Sequence, residues 1–171
     1  MKSNDKLASA AHLLIARLPT DELGATKLNK ILWFADCEFY FHHGRSLTGE
    51  TEYVRKANGP CPVRIAEVLA QLKAQGAIVE RAQPVAHYTR REFVPITQPD
   101  VSVFTSEEID LLLGTALALA PMSARAASDL SHNDLWHATP PEGRMSVEAG
   151  SVLVSQPAGM EEWAAAAFAA E

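Results

Sequence analysis

At 171 residues, 47% of them apolar and 21% charged, the chain is long enough to bury one good core and too apolar to be disordered over most of its length. A net charge of −6 and a pI near 5.5 disfavour nucleic acid as the partner. No apolar run reaches the roughly 18 residues of a membrane span, and the polar start Met1-Lys2-Ser3-Asn4-Asp5-Lys6 does not read as a secretion leader. The expected compartment is the cytoplasm.

Leu7, Ala10, Ala11, Leu14, Ile15 and Leu18 recur at helical spacing and predict an amphipathic helix that stops before Pro19. A second helix is expected from about Thr26 to His43. Its stripe runs through Leu28, Ile31, Leu32, Ala35 and Phe39, while Trp33, Phe34, Cys37, Tyr40 and Phe41 make its other faces apolar as well. Such a helix is usually central and covered on several sides. Gly44 ends it, Gly49 allows a second bend, and Thr51 to Ala57 reads as a short extended segment. Asn58-Gly59-Pro60 is a turn, with Pro62 placed in the first turn of a helix that carries Ile65, Val68, Leu69 and Leu72 and closes at Gly76.

The period then changes to that of strands. Ala77 to Glu80 and Val85 to Thr89 flank a turn expected at Ala82-Gln83-Pro84, with Phe93 to Ile96 as a third strand. Thr105 and Glu108 form a capping box for a helix through Ile109, Leu112, Leu113, Ala116 and Leu119. Ser123 caps a shorter helix to about His132, followed by an irregular stretch, a loop or short strand over Met145 to Val154, and a terminal helix with Met160, Trp163, Ala164, Ala167 and Phe168 on one side. The expected fold class is α+β and mostly helical. A single compact domain over residues 1–171 carries a small antiparallel hairpin, and the helix–hairpin succession resembles a winged helix.

Catalytic signatures are missing: there is no glycine-rich phosphate loop, no nucleophile elbow and no zinc-helix motif. Cys37 and Cys61 lack metal or redox spacing and read as reduced thiols, with Cys37 in the core. His42 and His43 suit the negative end of a helix. His132 and His137, with Asp129 and Asp134 nearby, are poorly spaced for zinc. Lys27 and Lys30 share one edge, expected to be exposed, at the start of the long helix. Cations there oppose the dipole, so they are either solvated or used on a partner's carboxylate. Arg90 and Arg91 on the expected wing would suit phosphate, but Arg64 to Lys73 is not distinctly basic. From Asp100 onward eleven acids face only Arg125 and Arg144, a net −9, which leaves +3 on the first 99 residues. An acidic rear half steers a basic partner or is simply solvated. Trp136, in a turn, is a candidate interface anchor, whereas Trp163 reads as a core-facing residue.

Taken in order, Lys27-Leu28-x-Lys30-Ile31-Leu32 with Trp33-Phe34-Ala35-Asp36, the bend from Gly44 to Gly49, Asn58-Gly59-Pro60, Gly76-Ala77-Ile78 and Ser131-His132-x-x-x-Trp136 resemble the Panacea domain family. These are the SocA-like antitoxins of bacterial and phage toxin–antitoxin pairs. The resemblance implies a protein that neutralises a cognate toxin by direct binding, or that hands it to an ATP-dependent protease as an adaptor. It implies no catalytic residue, cofactor or metal, and a DNA-binding winged-helix regulator is the alternative. Phe34, Gly44, Gly49, Gly59 and Pro60 would define the fold. Lys27, Lys30, Trp136, Glu161 and Glu162 are the expected partner contacts.

Overall fold

The computed structural model describes residues 5–154. In chain order these form α1 (Lys6–Arg17), α2 (Ala25–His43), β1 (Glu52–Lys56), β2 (Gly59–Pro62), α3 (Ile65–Ala74), β3 (Ile78–Val85) and β4 (Tyr88–Pro95). There follow α4 (Ser106–Leu119), α5 (Ala124–Leu130), α6 (Asp134–Ala138), β5 (Arg144–Ser146) and α7 (Val147–Val154). The arrangement is α+β and predominantly helical, as expected. The expected terminal helix, with Met160, Trp163, Ala164, Ala167 and Phe168, and the candidate contacts Glu161 and Glu162 lie outside the described residues.

Both long-range helical expectations hold. Asp5 caps α1 by accepting from the Leu7 and Ala8 N–H groups, and Leu7, Ala10, Ala11, Leu14 and Ile15 are almost wholly buried. The all-round apolarity of α2 has its explanation in its neighbours: α7, α4, α5, α1 and β2 all pack on it. The capping box of α4 forms as its sequence requires, with Thr105 and Glu108 exchanging hydrogen bonds.

Several boundaries differ from expectation. The helix after the Asn58-Gly59-Pro60 turn begins at Ile65, because Pro60, Cys61 and Pro62 form β2 and pair with Arg55, Val54 and Tyr53 of β1. These prolines sit at the sheet's edge, where a missing N–H costs no ladder bond. The hairpin after α3 is one long two-stranded ribbon that turns at residues 86 and 87, with Ala86 at φ +42°. Pro84 lies inside β3 opposite Thr89, and Phe93 belongs to β4, so the expected third strand is the end of the second. The likeness to a winged helix rests on the α3–hairpin succession alone. Met145 to Val154 is mostly α7, although Gly150, Val147, Val152 and Val154 are poor helix formers. Tertiary packing overrides propensity here: a Cβ on Gly150 would fall 2.9 Å from Cys37 Sγ and overlap the Trp33 ring, so glycine lets α7 approach α2.

A second apolar cluster of Trp33, Cys37, Tyr53, Met145 and Val147 joins α2 to the β2-β1-β5 sheet. At its edge Asp36 is fully buried. Its carboxylate accepts from the Thr48 N–H at 2.8 Å, the Thr48 hydroxyl at 2.6 Å and the Tyr53 hydroxyl at 2.7 Å. Burial pushes the Asp36 carboxyl up to about 6, against the three donors that favour its charged form. A carboxyl with a raised folded pKa binds extra protons in the folded state, so the stability it contributes is present below about pH 4 and lost as pH rises through 6. Unfolding free energy of the wild type relative to Asp36→Asn should therefore fall by about 2 kcal/mol between pH 4 and pH 6 in urea titrations. A flat difference across that window would contradict an ionising carboxyl at this depth.

Candidate protein-binding site

The pieces of the motif that lie far apart in sequence meet at one point. Lys30, on the second turn of α2, is 2% exposed, and its ammonium donates to the Pro60 carbonyl at 2.8 Å. Gly59 passes directly over it at φ +107°, so close that an added Cβ would lie 2.6 Å from Lys30 Cε and overlap Ser131 Oγ. Ser131 donates to the Ser128 carbonyl, and Ser128 donates to the Asn58 carbonyl at 2.6 Å. The buried cation thus ties α2 to the β1–β2 strand pair, and the Ser128 hydroxyl ties the turn to α5. Burial lowers the Lys30 ammonium to about 8, because the low-polarity surroundings disfavour its charge.

The expected exposed edge of Lys27 and Lys30 is corrected by this packing. Lys27 is also buried, at 8% exposure, and donates to the Ala120 carbonyl at 2.8 Å, which joins α2 to the end of α4. Their stems cross apolar surface and their charges end on carbonyl oxygens. Trp136 is held just as firmly. Its ring lies between the His132 imidazole, 3.8 Å away and nearly parallel, and the Arg55 guanidinium at 3.9 Å, and its indole N–H donates to the Lys56 carbonyl. With both faces covered, Trp136 offers a partner only its rim, and it clamps α6 onto β1. Phe34 is half-buried, Gly44 closes α2 in the left-handed conformation, and Gly49 bends the following segment at φ +88°.

The acidic rear half is also less one-sided in space than along the chain. Glu108 is fully buried and accepts from Lys6, Arg45 and the Thr105 N–H, while Glu107 meets His43 and Glu142 meets Lys56. Burial opposes the charge on Glu108, yet those donors hold its carboxyl below the usual range. The arginines considered for phosphate are likewise engaged: Arg90 with Glu92, Arg91 with Glu80, and Arg64 with both Asp5 and Glu50. No group of His, Cys, Asp and Glu among the described residues could hold a metal ion.

Beside the Lys30 tie lies a cleft of about 890 Å³, walled by the start of α2, the β1–β2 turn, the tip half of the β3–β4 hairpin and α5. Lys27, Asn58, Tyr88, Arg90, Arg125 and His132 are among its lining residues. Its volume suits an inserted peptide segment or a small molecule. Arg55, Ser128, Tyr88 and Arg125 were not singled out in the sequence. Arg55 and Ser128 act on carbonyls far along the chain, those of Thr139 and Asn58, and no local spacing signals them.

Gly59→Ala should cost about 3 kcal/mol of stability, since both the backbone angle and the Lys30 and Ser131 neighbours oppose a side chain. Gly44→Ala should cost only about 1 kcal/mol, because nothing lies within 4 Å of that Cβ position. Equal losses in chemical denaturation would show that the close approach over Lys30 is not a constraint.

A protein-family model described as "Antitoxin SocA-like, Panacea domain" matches residues 28–137. Comparison with curated proteins and with solved structures returns no match. The matched span runs from α2 to α6 and contains the Lys30–Pro60 tie, the Asp36 network and most of the cleft wall. With well over half of its length matched, the chain belongs to the SocA-like Panacea domain family of antitoxins.

Proposed function

We propose that this protein is a cytoplasmic antitoxin that binds and neutralises one cognate protein toxin, with no bond-making chemistry of its own. Family membership carries the reading. The bonding of the prominent polar residues supports it: Lys30, Asp36 and Glu108 have internal partners that account for their burial, and Trp136 is held by the Lys56 carbonyl. Such groups build a surface. A binding function needs shape and a few free groups at that surface, and the cleft beside the Lys30 tie supplies both. No single helix among the described residues is long and apolar enough to cross a membrane.

Inhibition is proposed to act by occupation of the toxin's working surface. In a second, finer form of the same reading, the complex is presented to an ATP-dependent protease and the toxin is degraded. The first form predicts stoichiometric protection, and the second predicts a shortened toxin lifetime.

The test is co-expression with the product of the adjacent reading frame. Growth arrest caused by that product alone, relieved by this chain, together with a complex that survives gel filtration, is the expected result. A purified chain that neither binds the product nor restores growth would overturn the proposal, as would turnover of a substrate lost on changing one polar side chain.

A further inference from the structure

A second hollow, of about 400 Å³, lies where α2, α4, α5 and the end of α7 meet. Its lining is mostly apolar: Phe34 of α2, Leu111 and Leu119 of α4, Met122 just after α4, Leu130 at the end of α5 and Val154 at the end of α7. Among the described residues it stands open, because Gly114, Ala118 and Leu130 on its wall are exposed, Leu130 by 54%. Contiguous apolar surface of this kind marks a contact.

The same wall carries a glycine in the interior of a helix. Gly114 costs α4 stability relative to alanine, and nothing packs within 4 Å of where its Cβ would be. Ala118, one turn further on, is small as well and also exposed. The contact between α2 and α7 shows what such a surface admits, since Gly150 there lets the Trp33 ring close against the helix backbone. Gly114 and Ala118 together leave room for a further helix at the same close range.

We propose that this hollow seats residues 155–171 of the same chain, folded back from the end of α7. Val154, the last described residue, lines the hollow, so the segment enters at its rim. Ser155-Gln156-Pro157-Ala158-Gly159 then supplies a proline that cannot continue a helix and a glycine that permits a reversal. The helical stripe of Met160, Trp163, Ala164, Ala167 and Phe168 follows, with large side chains to fill the hollow and alanines to lie against Gly114 and Ala118, while Glu161 and Glu162 fall outside it. As a helix this stripe spans about 13 Å, short enough to lie along α4 at about 21 Å. A tether this short gives the segment an effective concentration on the order of millimolar, which favours it over a second copy or a separate partner.

Nuclear Overhauser contacts in the full chain provide the test, with the Trp163 ring assigned from the signals lost in Trp163→Phe. Contacts from the Trp163 and Phe168 rings to the methyl groups of Leu111, Met122 and Leu130 are expected, and a mixture of separately labelled samples should show none between molecules. Gly114→Leu and Ala118→Glu, both at exposed positions on the wall, should abolish these contacts. Leu117→Glu, 72% exposed on α4 and outside the hollow, should keep them. Their absence from the wild type, or their persistence in both wall variants, would overturn the proposal. Contacts found only between molecules would overturn it in favour of a second copy. Signals of the hollow that move only on adding the adjacent reading frame's product, with no contact inside the free chain, would overturn it in favour of that protein.

Discussion

A lysine ammonium buried at the second turn of a central helix must end on an acceptor, and in this protein the acceptor is a backbone carbonyl thirty residues away. That requirement fixes the β1–β2 turn against α2. The turn can come so near only because Gly59 has no side chain, and the space beneath it is filled by Ser131 from the end of α5. Position in space then propagates: Ser128 bonds the turn at Asn58, and the stack of His132, Trp136 and Arg55 secures α6 to the neighbouring strand. The cleft is the space left between this tied assembly and the hairpin, so its geometry depends on the same lysine.

Cations and carboxylates elsewhere show a consistent division. Glu108, Glu92 and Asp5 lie mostly out of water and each gathers one or two cations, which links α4 to α1 and the two strands of the hairpin to one another. Surface pairs of this kind contribute little individually, but a carboxylate buried as deeply as Glu108 would be costly without them. The cleft takes part in the same division: Arg90 and Arg91 on its wall are paired with Glu92 and Glu80, and Lys27 ends on the Ala120 carbonyl.

Much of the architecture was legible from local pattern. Helical spacing located α1, and spacing with end signals located α2 and α4, because Gly44 and the Thr105–Glu108 box act within one turn of chain. The order of motifs identified the family. What could not be read were features decided by distant neighbours. Lys27 and Lys30 looked like an exposed pair until Ala120 and Pro60 supplied carbonyls to receive them. Trp136 looked available until Arg55 and His132 covered its faces. The Val147–Val154 segment became a helix against Trp33 despite its β-branched residues, and Pro84 sat within a strand because the ribbon has only edges. For the candidate site, the sequence supplied the residues of the scaffold and left the cleft itself invisible.

Amide hydrogen exchange of the full chain, alone and in complex with the product of the adjacent reading frame, tests the central claim most directly. The account predicts new protection concentrated at residues 21–27, 57–58, 88–91 and 123–132, which surround the cleft. Protection confined to the outer faces of α4 and α7, with the cleft exchanging as it does in the free protein, would contradict it.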